Sequence, residues 1–465
     1  MRPFKRSEVC PALLKLKGGT EMSHTRIVSF FSAAVNYVAE HIRQYVHRPD
    51  ADFTRNNKLP ITKLLPFLVS QGSSSTRNEL TEAYGFNADR PSASAFTQQR
   101  AKLKPEGVEV LFHHFTASLD KLHPPGNYRF LAADGSTLTF LSNDRLSPPE
   151  YYTTQGNSAD GCHSAHVIAF YDLDTDIYTD CIIQPIRNKD EYGAFRDIVD
   201  RHPMPADGTP FVFLADRGFC SYNNMAHVIE RGQFFLFRAK DVTSKGLLHH
   251  IDLPDSDSFD IQIKFIIVRR QSAKVRIPDD GYRRFVGEAQ AFDYVDYGSS
   301  DYYELPVRVI RFELSPGNYE SLVTNLSTQD FSLDALKALY YRRWGIETSF
   351  RSLKYTIGLT RFHASKADFV LQEIWARLTA YNFTEAITHC VVIEEKPKNK
   401  YGYKVNFSAA VHVCRQFLRS ALARHPIDVI SLLSRELIPI RDERSFPRLK
   451  TAHFRRPAYF LYRPS

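Results

Sequence analysis

Two aspartates follow apolar runs that are typical of buried strands. Asp134 ends the run in FLAADGST and Asp216 ends the run in FVFLADRG, and each precedes a turn or a glycine. A carboxylate is costly inside a strand core, so each aspartate belongs at the rim of a sheet. Open α/β sheets bind ligands at the carboxyl ends of their strands, so the pair could hold a metal ion. Taken alone, either aspartate is better explained as an ordinary strand end or turn.

A third set of polar residues lies on one side of a predicted helix, LYYRRWGIETSFRSLKYTIG. At about 100° per residue, Tyr340, Arg343, Glu347 and Lys354 fall within a stripe of about 60°. Apolar residues of the same helix lie directly beside this stripe, and a helix packed on the sheet by them would bring Glu347 to the two aspartates. The alternative is an exposed face with an Arg343–Glu347 ion pair, which leaves Tyr340 unexplained. The apolar residues are Leu339, Ile346, Phe350 and Leu353.

Three carboxylates that converge on one point repel each other unless a cation neutralises them. Oxygen ligands favour Mg²⁺, with Mn²⁺ as a substitute, over zinc. Two such ions about 3.5–4 Å apart can activate a water or hydroxyl and stabilise the leaving oxygen of a phosphodiester. The sequence therefore predicts a magnesium site formed by Asp134, Asp216 and Glu347 that acts on nucleic acid.

At this point the sequence resembles a known family, the DDE transposases of bacterial insertion sequences, in the IS-four group. That group has the signature Tyr, two residues, Arg, three residues, Glu, six residues, Lys, and Tyr340, Arg343, Glu347 and Lys354 match it without a gap. The resemblance covers roughly residues 60–385, and it also includes the two aspartates and Arg217 directly after the second one.

The resemblance implies an α/β (mixed) fold: an RNase H-like core with a β-rich insertion, preceded by a helical DNA-binding region. It implies that Asp134, Asp216 and Glu347 are catalytic and hold the metals. It implies a cut-and-paste reaction in which activated water nicks the element end and the freed 3′-hydroxyl attacks DNA. Residues that would contact DNA near the reacting end are Tyr340, Arg343, Lys354 and Arg217. Trp344 is interpreted as a packing residue, or else as a stacking partner for an unpaired base.

The domain organisation follows changes in hydrophobic period along the chain. A helical region is expected first, then strands and helices in the order β-β-β-α-β-α-β, a β-rich block, the helix of Glu347 and a basic helical end. The expected regions are residues 1–122 (helical, DNA-binding), 123–240 (core, first part), 241–330 (β-rich insertion), 331–390 (core, second part) and 391–465 (basic C-terminal region).

Within the first region, residues 74–104 fit two short helices joined by a turn. Thr76 and Glu79 have the spacing of a capping box at the start of the first helix. The second helix is rich in polar residues, among them Arg100, which we expect to contact DNA. This pattern fits a helix-turn-helix reader or an ordinary helical bundle, and the resemblance favours the reader.

Composition restricts the class of protein. With 465 residues, 43% apolar and 24% charged, the chain is expected to be globular. It has neither a signal peptide pattern nor an apolar run long enough for a membrane span, so a cytoplasmic location is expected. The family resemblance implies a bacterial cell and association with the nucleoid when the protein is bound to DNA. The six cysteines form no CxxC pair and are expected to be reduced thiols.

The positive charge is concentrated at the C-terminal end. Residues 391–465 contain 15 Lys or Arg against 6 Asp or Glu, whereas the net charge of the whole chain is +8. This fits a polyanion partner or a solvated tail. The family resemblance implies that the partner is double-stranded DNA, both the terminal inverted repeats and the target, bound by a dimer. Two other functions stay open: an inactive DNA-binding relic and a metal-dependent DNA nuclease without strand transfer.

Overall fold

The protein is described here by a computed structural model. The residues that it describes are 23–440 except for 56–57, 88–89, 155–160, 243, 255, 272–276, 395–400 and 424–426. The predicted helix-turn-helix segment is therefore described almost in full. The aromatic and arginine residues of the basic end, from 454 to 463, lie outside the described residues.

The chain begins with a group of helices that share one core. Helix α1 buries Ile27, Phe31, Ala34 and Val38 at spacings of three and four, which places them on one face. The helices are α1 (His24–Glu40), α2 (Ile61–Ser70), α3 (Thr76–Tyr84), α4 (Ala93–Arg100) and α5 (Pro105–Asp120).

The start of α3 differs from the predicted capping box. The cap is Ser75, whose hydroxyl accepts a hydrogen bond from the backbone N–H of Asn78 at 3.4 Å. Glu79 turns into the protein and accepts hydrogen bonds from the N–H groups of Gly72 and Ser74 at 2.9 and 3.0 Å. The helix cap is therefore Ser75, one residue before the predicted Thr76. Glu79 does not complete a capping box with Thr76, because its carboxylate accepts from the two N–H groups in the loop before the helix.

A mixed sheet of ten strands forms the centre of the molecule. Its order is β2-β3-β1-β5-β6-β10-β9-β7-β8, and β4 also pairs with β3. Strands β1, β3 and β4 are antiparallel, and β5 and β6 run parallel to β1. The strands are β1 (Arg129–Phe140), β2 (Tyr152–Thr154), β3 (Gly161–Asp172), β4 (Tyr178–Pro185), β5 (Phe211–Ala215), β6 (Phe234–Ala239), β7 (Phe259–Val268), β8 (Tyr282–Phe285), β9 (Tyr302–Ser315) and β10 (Asn318–Thr324).

Along the chain, β1, β3, β4, α6, β5, α7 and β6 follow the predicted order β-β-β-α-β-α-β, where α6 is Glu191–Arg201 and α7 is Tyr222–Glu230. In the sheet, these five strands lie side by side in the order β4-β3-β1-β5-β6. The fold is mixed α/β, as expected, and its strand order along the chain is the one predicted for the core. The β-rich segment after this core does not form a separate sheet. Its strand β10 pairs with β6, so β7 to β10 extend the central sheet across the predicted boundary at residue 240.

Alternate residues of the central strands enter two separate cores, one on each face of the sheet. Ala132 and Leu214 join the core formed with the N-terminal helices and the helix of Glu347. Leu131 and Phe213 join the core formed with α6 and α7. This two-residue period follows from the pleat of a β-strand, and it determines which polar residues beyond the strand ends face the Glu347 helix.

The chain then returns to helices that cover the first of these faces. Helix α10 is buried on nearly all sides, because other helices pack against it, among them α5 and α11. Among the described residues, no helix is long and apolar enough to cross a membrane. The elements are α8 (Leu333–Arg342), α9 (Trp344–Arg351), a π-helical turn (Ser352–Thr356), α10 (Ala367–His389), β11 (Tyr403–Val405), α11 (Phe407–Ala423), α12 (Val429–Leu433) and β12 (Leu437–Pro439).

Candidate active site

The two aspartates occupy adjacent positions on β1 and β5. Asp216 directly follows the last residue of β5, whereas Asp134 lies within β1, where β1 stops pairing with β5 and continues along β3 to Phe140. The prediction that Asp134 ends its strand is therefore wrong. Ala133 pairs in register with Ala215, so Asp134 and Asp216 are the next residue on each of the two parallel strands. Two residues before each aspartate, a side chain lies on the face that packs against the Glu347 helix. These side chains are Ala132 in β1 and Leu214 in β5. The pleat therefore directs both carboxyl groups to that same face.

The predicted helix from Ser332 to about Ile357 is divided in the structure. Helix α8 ends at Arg342, α9 starts at Trp344, and the last turn is π-helical and contains Lys354. Ile346, Phe350 and Leu353 pack the helix against the sheet, as the apolar stripe predicts. Gly345 allows a close approach, because a Cβ at that position would lie 3.3 Å from Cδ2 of Leu173.

The three carboxyl groups are close enough to influence one another. The pKa of Asp134 is raised to about 6, chiefly by burial and in part by the charges of Glu347 and Asp216. Two effects oppose this increase: a hydrogen bond from the N–H of Gly135 at 2.8 Å and the positive charge of Arg343. An acid whose charge is destabilised by burial and by two other carboxylates is the arrangement that a bound cation would relieve.

The basic residues of the signature surround these acids. Arg343 is 2% exposed and donates a hydrogen bond from Nη2 to Oε1 of Glu347 at 2.9 Å. Lys354 donates from Nζ to the carbonyl of Thr137 at 3.2 Å, and burial lowers its pKa. Arg217 is exposed directly beside Asp216. Trp344 is 39% exposed, with the Arg343 guanidinium 5.2 Å from its ring centre.

Tyr340 lies under this cluster. The side chain is 5% exposed, and its hydroxyl has no hydrogen-bond partner among the described residues. The Arg343 guanidinium lies 5.5 Å from the ring centre. An unpaired buried hydroxyl reduces the stability of the free protein, so this group is poised for a partner from outside the chain.

Arg100 does not lie at a surface suited to DNA. Its side chain is buried, with hydrogen bonds from Nε to Gln372 at 2.6 Å and from Nη1 to Glu373 at 3.0 Å, and a further one to the carbonyl of Phe369. Its donors serve to fasten α4 to α10. We therefore correct the sequence prediction and leave Arg100 out of the DNA contacts, while Ser94, Thr97 and Gln98 of α4 are exposed.

Sequence reasoning missed two pairs of residues beside the acids. Arg238 follows the apolar run of β6, as each aspartate follows its own apolar run, so the same sequence pattern could have identified this arginine. Glu320 of β10 lies 3.7 Å from Arg238. His166 contacts Glu191 at 2.9 Å and Thr137 at 3.0 Å directly beside Gly135. A single histidine within an apolar strand gives no such signal.

A second cluster of metal-binding residue types lies at the other end of β1 and β3. His123, Asp172 and Asp174 approach one another there, but each has a partner within the protein. His123 pairs with Asp172 at 3.0 Å, and Arg342 binds Asp174 at 2.6 Å. The loop is a hairpin turn between the antiparallel strands β3 and β4, and we assign no metal to it.

The chain is similar to known transposases. The sequence matches the family described as "Transposase DDE domain" over residues 125–383. It is 28% identical over 120 residues to the transposase InsG for insertion sequence element IS4 of Escherichia coli (strain K12), a match that spans 24% of this chain and 27% of that protein.

Among solved structures, the chain resembles a piggyBac transposase synaptic complex with hairpin DNA, with 10% identity, a TM-score of 0.45 and coverage of 85% of this chain and 78% of that one. The family match, by contrast, covers more than half of the chain and includes all three carboxyl residues. The protein therefore belongs to the transposase DDE-domain family.

Proposed function

We propose that this chain is an insertion-sequence transposase that binds the ends of its element and cleaves and joins DNA strands by a cut-and-paste mechanism. The observation that carries the proposal is the environment of Asp134, a buried carboxyl whose pKa is raised in part by Glu347 and Asp216. Carboxylates from three separate elements that repel one another are unfavourable for folding alone, so a function must account for them.

The residues of the site fit a divalent metal. Asp134, Asp216 and Glu347 offer only oxygen ligands, which suit Mg²⁺ or Mn²⁺. When bound, such ions would supply activation of an attacking oxygen and stabilisation of the leaving oxygen. In the structure Arg343 donates to Glu347, so a cationic group already partly balances the charge of the cluster.

The basic residues would orient the DNA around the acids. Arg343 and Lys354 are both largely buried, so the partial desolvation of their charges would strengthen contacts with phosphate oxygens. The Tyr340 hydroxyl would donate to a phosphate oxygen, and the exposed Arg217 would contact the backbone next to the reacting bond.

The proposed partners are double-stranded element ends, with their terminal inverted repeats, and target DNA. The exposed polar residues of α4 are the proposed reading surface of the helix-turn-helix segment. A dimer would hold the two ends of one element together, and the setting would be the bacterial nucleoid. The basic C-terminal end is proposed to bind the DNA backbone.

The test uses a duplex that contains the protein's own element end and flanking DNA, incubated with Mg²⁺. Glu347→Gln should bind this duplex as the parent does, but it should lose both nicks at the element boundary and joined products, as should the parent in EDTA. The matched control is Glu106→Gln, because Glu106 is another carboxylate in the first turn of a helix and is exposed. It should cleave like the parent.

The other outcomes identify the alternatives. A parent that binds the duplex without cutting it would be a DNA-binding relic. A parent that cuts at scattered positions without joining would be a nuclease. Full cleavage by Glu347→Gln would show that the assignment of this residue to the metal site is wrong.

A further inference from the structure

A groove of about 530 Å³ opens beside the acids, between the end of β6 and the start of β10. Its lining includes four basic residues and two acidic ones. The basic residues are Arg217, Arg238, Lys240 and Lys245, and the acidic residues are Asp241 and Glu320.

The groove is continuous with the candidate active site. In the register of the parallel strands, Ala133, Ala215 and Phe237 form one row across the sheet, so Asp134, Asp216 and Arg238 form the next row. Leu236 of β6 packs in the same core as Ala132 and Leu214, so Arg238 shares the face of the two aspartates. A chain molecule bound at the acids would therefore enter the groove as it continues past Asp216.

The charge of the groove is positive because its acids are occupied. Asp241 accepts hydrogen bonds from Nε of Arg311 and from Oγ of Ser321, both at 2.9 Å. Glu320 is 9% exposed and lies 3.7 Å from Arg238, so its charge is paired with that guanidinium. The ammonium groups of Lys240 and Lys245 and the guanidinium of Arg217 belong to exposed residues.

The size of the groove limits what it can hold. Its volume is in the range of cavities that enclose a small ligand, about 300–1,000 Å³. A duplex is much larger than such a cavity, whereas a short stretch of one strand is not. A positive groove that follows a backbone is also the typical surface for a single strand.

We propose that this groove binds the sugar–phosphate backbone of one unpaired DNA strand that continues from the reacting phosphodiester. The inference rests on the proposed function, since it takes the strand to be a substrate of the same site. Lys240 and Lys245 neutralise its phosphates, and Arg238 and Arg217 lie between them and the acids.

The test compares two substrates: a blunt duplex of the element end, and the same duplex with a short unpaired extension at that end. The dissociation constant is measured against salt concentration for the parent and for Lys240→Ala/Lys245→Ala. Each phosphate contact with a single strand contributes about 0.7 to the slope of log K against log salt. The double variant should therefore reduce the slope by about 1.4 on the extended substrate and leave the slope on the blunt duplex unchanged.

The matched control is Lys121→Ala/Arg231→Ala, which removes two exposed cations that precede β1 and β6 and so lie at the opposite edge of the sheet. It should change neither slope. The proposal is overturned if the groove variant behaves like this control, or if it weakens both substrates equally. If the parent cuts and joins element ends but the groove variant keeps the parent's slope, the proposed role of the groove is wrong and the proposed function stands. A reduced slope with a parent that never cleaves would instead refute the proposed function and keep the groove.

Discussion

At the scale of single residues, the site contains groups whose positions reduce the stability of the free protein. The hydroxyl of Tyr340 is buried without a hydrogen-bond partner among the described residues. Nε of Arg343, next to it, is in the same condition. Unsatisfied buried donors are uncommon in native proteins, so each one needs an explanation, and contact with a ligand is one such explanation. In this chain that ligand is proposed to be the DNA phosphate.

Tyr340→Phe should therefore separate stability from activity. Removal of an unpaired buried hydroxyl should leave the free energy of unfolding unchanged or raise it by up to about 1 kcal/mol. Strand cleavage should decrease, because the hydroxyl no longer contacts the DNA. Denaturant unfolding and the cleavage assay on the element-end duplex measure the two effects.

Tyr178→Phe is the matched control for this prediction. Tyr178 is also fully buried, but its hydroxyl forms a hydrogen bond with Ser349 at 2.8 Å. The same substitution should lower the free energy of unfolding there by about 1 kcal/mol. If Tyr340→Phe destabilised the protein as much as Tyr178→Phe, the Tyr340 hydroxyl would have a partner within the chain.

At the scale of elements, the helix that contains Glu347 depends on how it ends. Its last turn is π-helical, and Gly358 follows with a φ of +85°, a conformation that side chains rarely adopt. The carbonyl of Ile357 accepts a hydrogen bond from Arg415 of α11 at 2.6 Å. The position of Lys354 is thus determined both by the helix and by two segments distant in sequence, since Ser73 contacts this turn as well.

Gly358→Ala tests this arrangement. The added Cβ would combine a positive φ with a contact of 2.9 Å to Oγ of Ser73. The φ alone costs about 1–2 kcal/mol, and the contact adds to it. We also expect weaker DNA cleavage, because the turn that holds Lys354 must shift.

Gly208→Ala provides the control, since Gly208 has a φ of +73° with nothing within 4 Å of the added Cβ. It should show only the cost of the backbone conformation and keep full cleavage. Adding Ser73→Ala to Gly358→Ala should recover the difference in unfolding free energy between the two alanine variants. Equal costs at both glycines would mean that the contact with Ser73 is unimportant.

At the scale of the whole molecule, buried charges connect the N-terminal helices to the helices that follow the site. Arg100 of α4 pairs with Glu373 of α10 at 3.0 Å. His363, interpreted from the sequence as a packed or surface residue, is packed between Glu79 and Glu373, at 3.3 and 3.4 Å. Arg419 of α11 contacts Glu79 from the other side at 3.8 Å. Loss of one partner would leave a charge buried without compensation.

Glu373→Gln should destabilise the protein by about 3–5 kcal/mol at neutral pH. The positive charges of His363, Arg100 and Arg377 lower the pKa of Glu373, although burial alone would raise it. Because the folded pKa is below the ordinary value of 4.5, ionised Glu373 contributes its full stability above that pH and loses it as the pH falls further. Unfolding free energies of parent and variant should therefore converge below about pH 4.5.

Urea unfolding of both proteins at pH 7, 5, 4 and 3 checks this expectation, with Glu106→Gln as an exposed carboxylate control whose stability should follow the parent at every pH. A difference between parent and Glu373→Gln that did not change with pH would contradict it. The cost would then come from altered packing of α10 and not from the charge.

Local patterns in the sequence identified much of this protein. Apolar runs that end in Asp134 and Asp216 predicted two strands, although β1 continues beyond Asp134 to Phe140. The fixed spacing from Tyr340 to Lys354 predicted one face of a helix. These predictions concern neighbours along the chain, for which the pleat and the helical period are sufficient. The same reasoning was wrong for Arg100 and for the cap of α3, because partners on α10 and in the loop before α3 determine where Arg100 and Glu79 point.

The sequence by itself determined the residue types of the site, the order of the core strands and the family resemblance. Only the tertiary structure decided that the β-rich segment extends the central sheet, that Arg238 aligns with the two aspartates, and that the buried Tyr340 hydroxyl has no partner among the described residues. The physical reason is that strand pairing and burial join residues far apart in the chain. The spacing of residues along the sequence contains no direct record of those contacts.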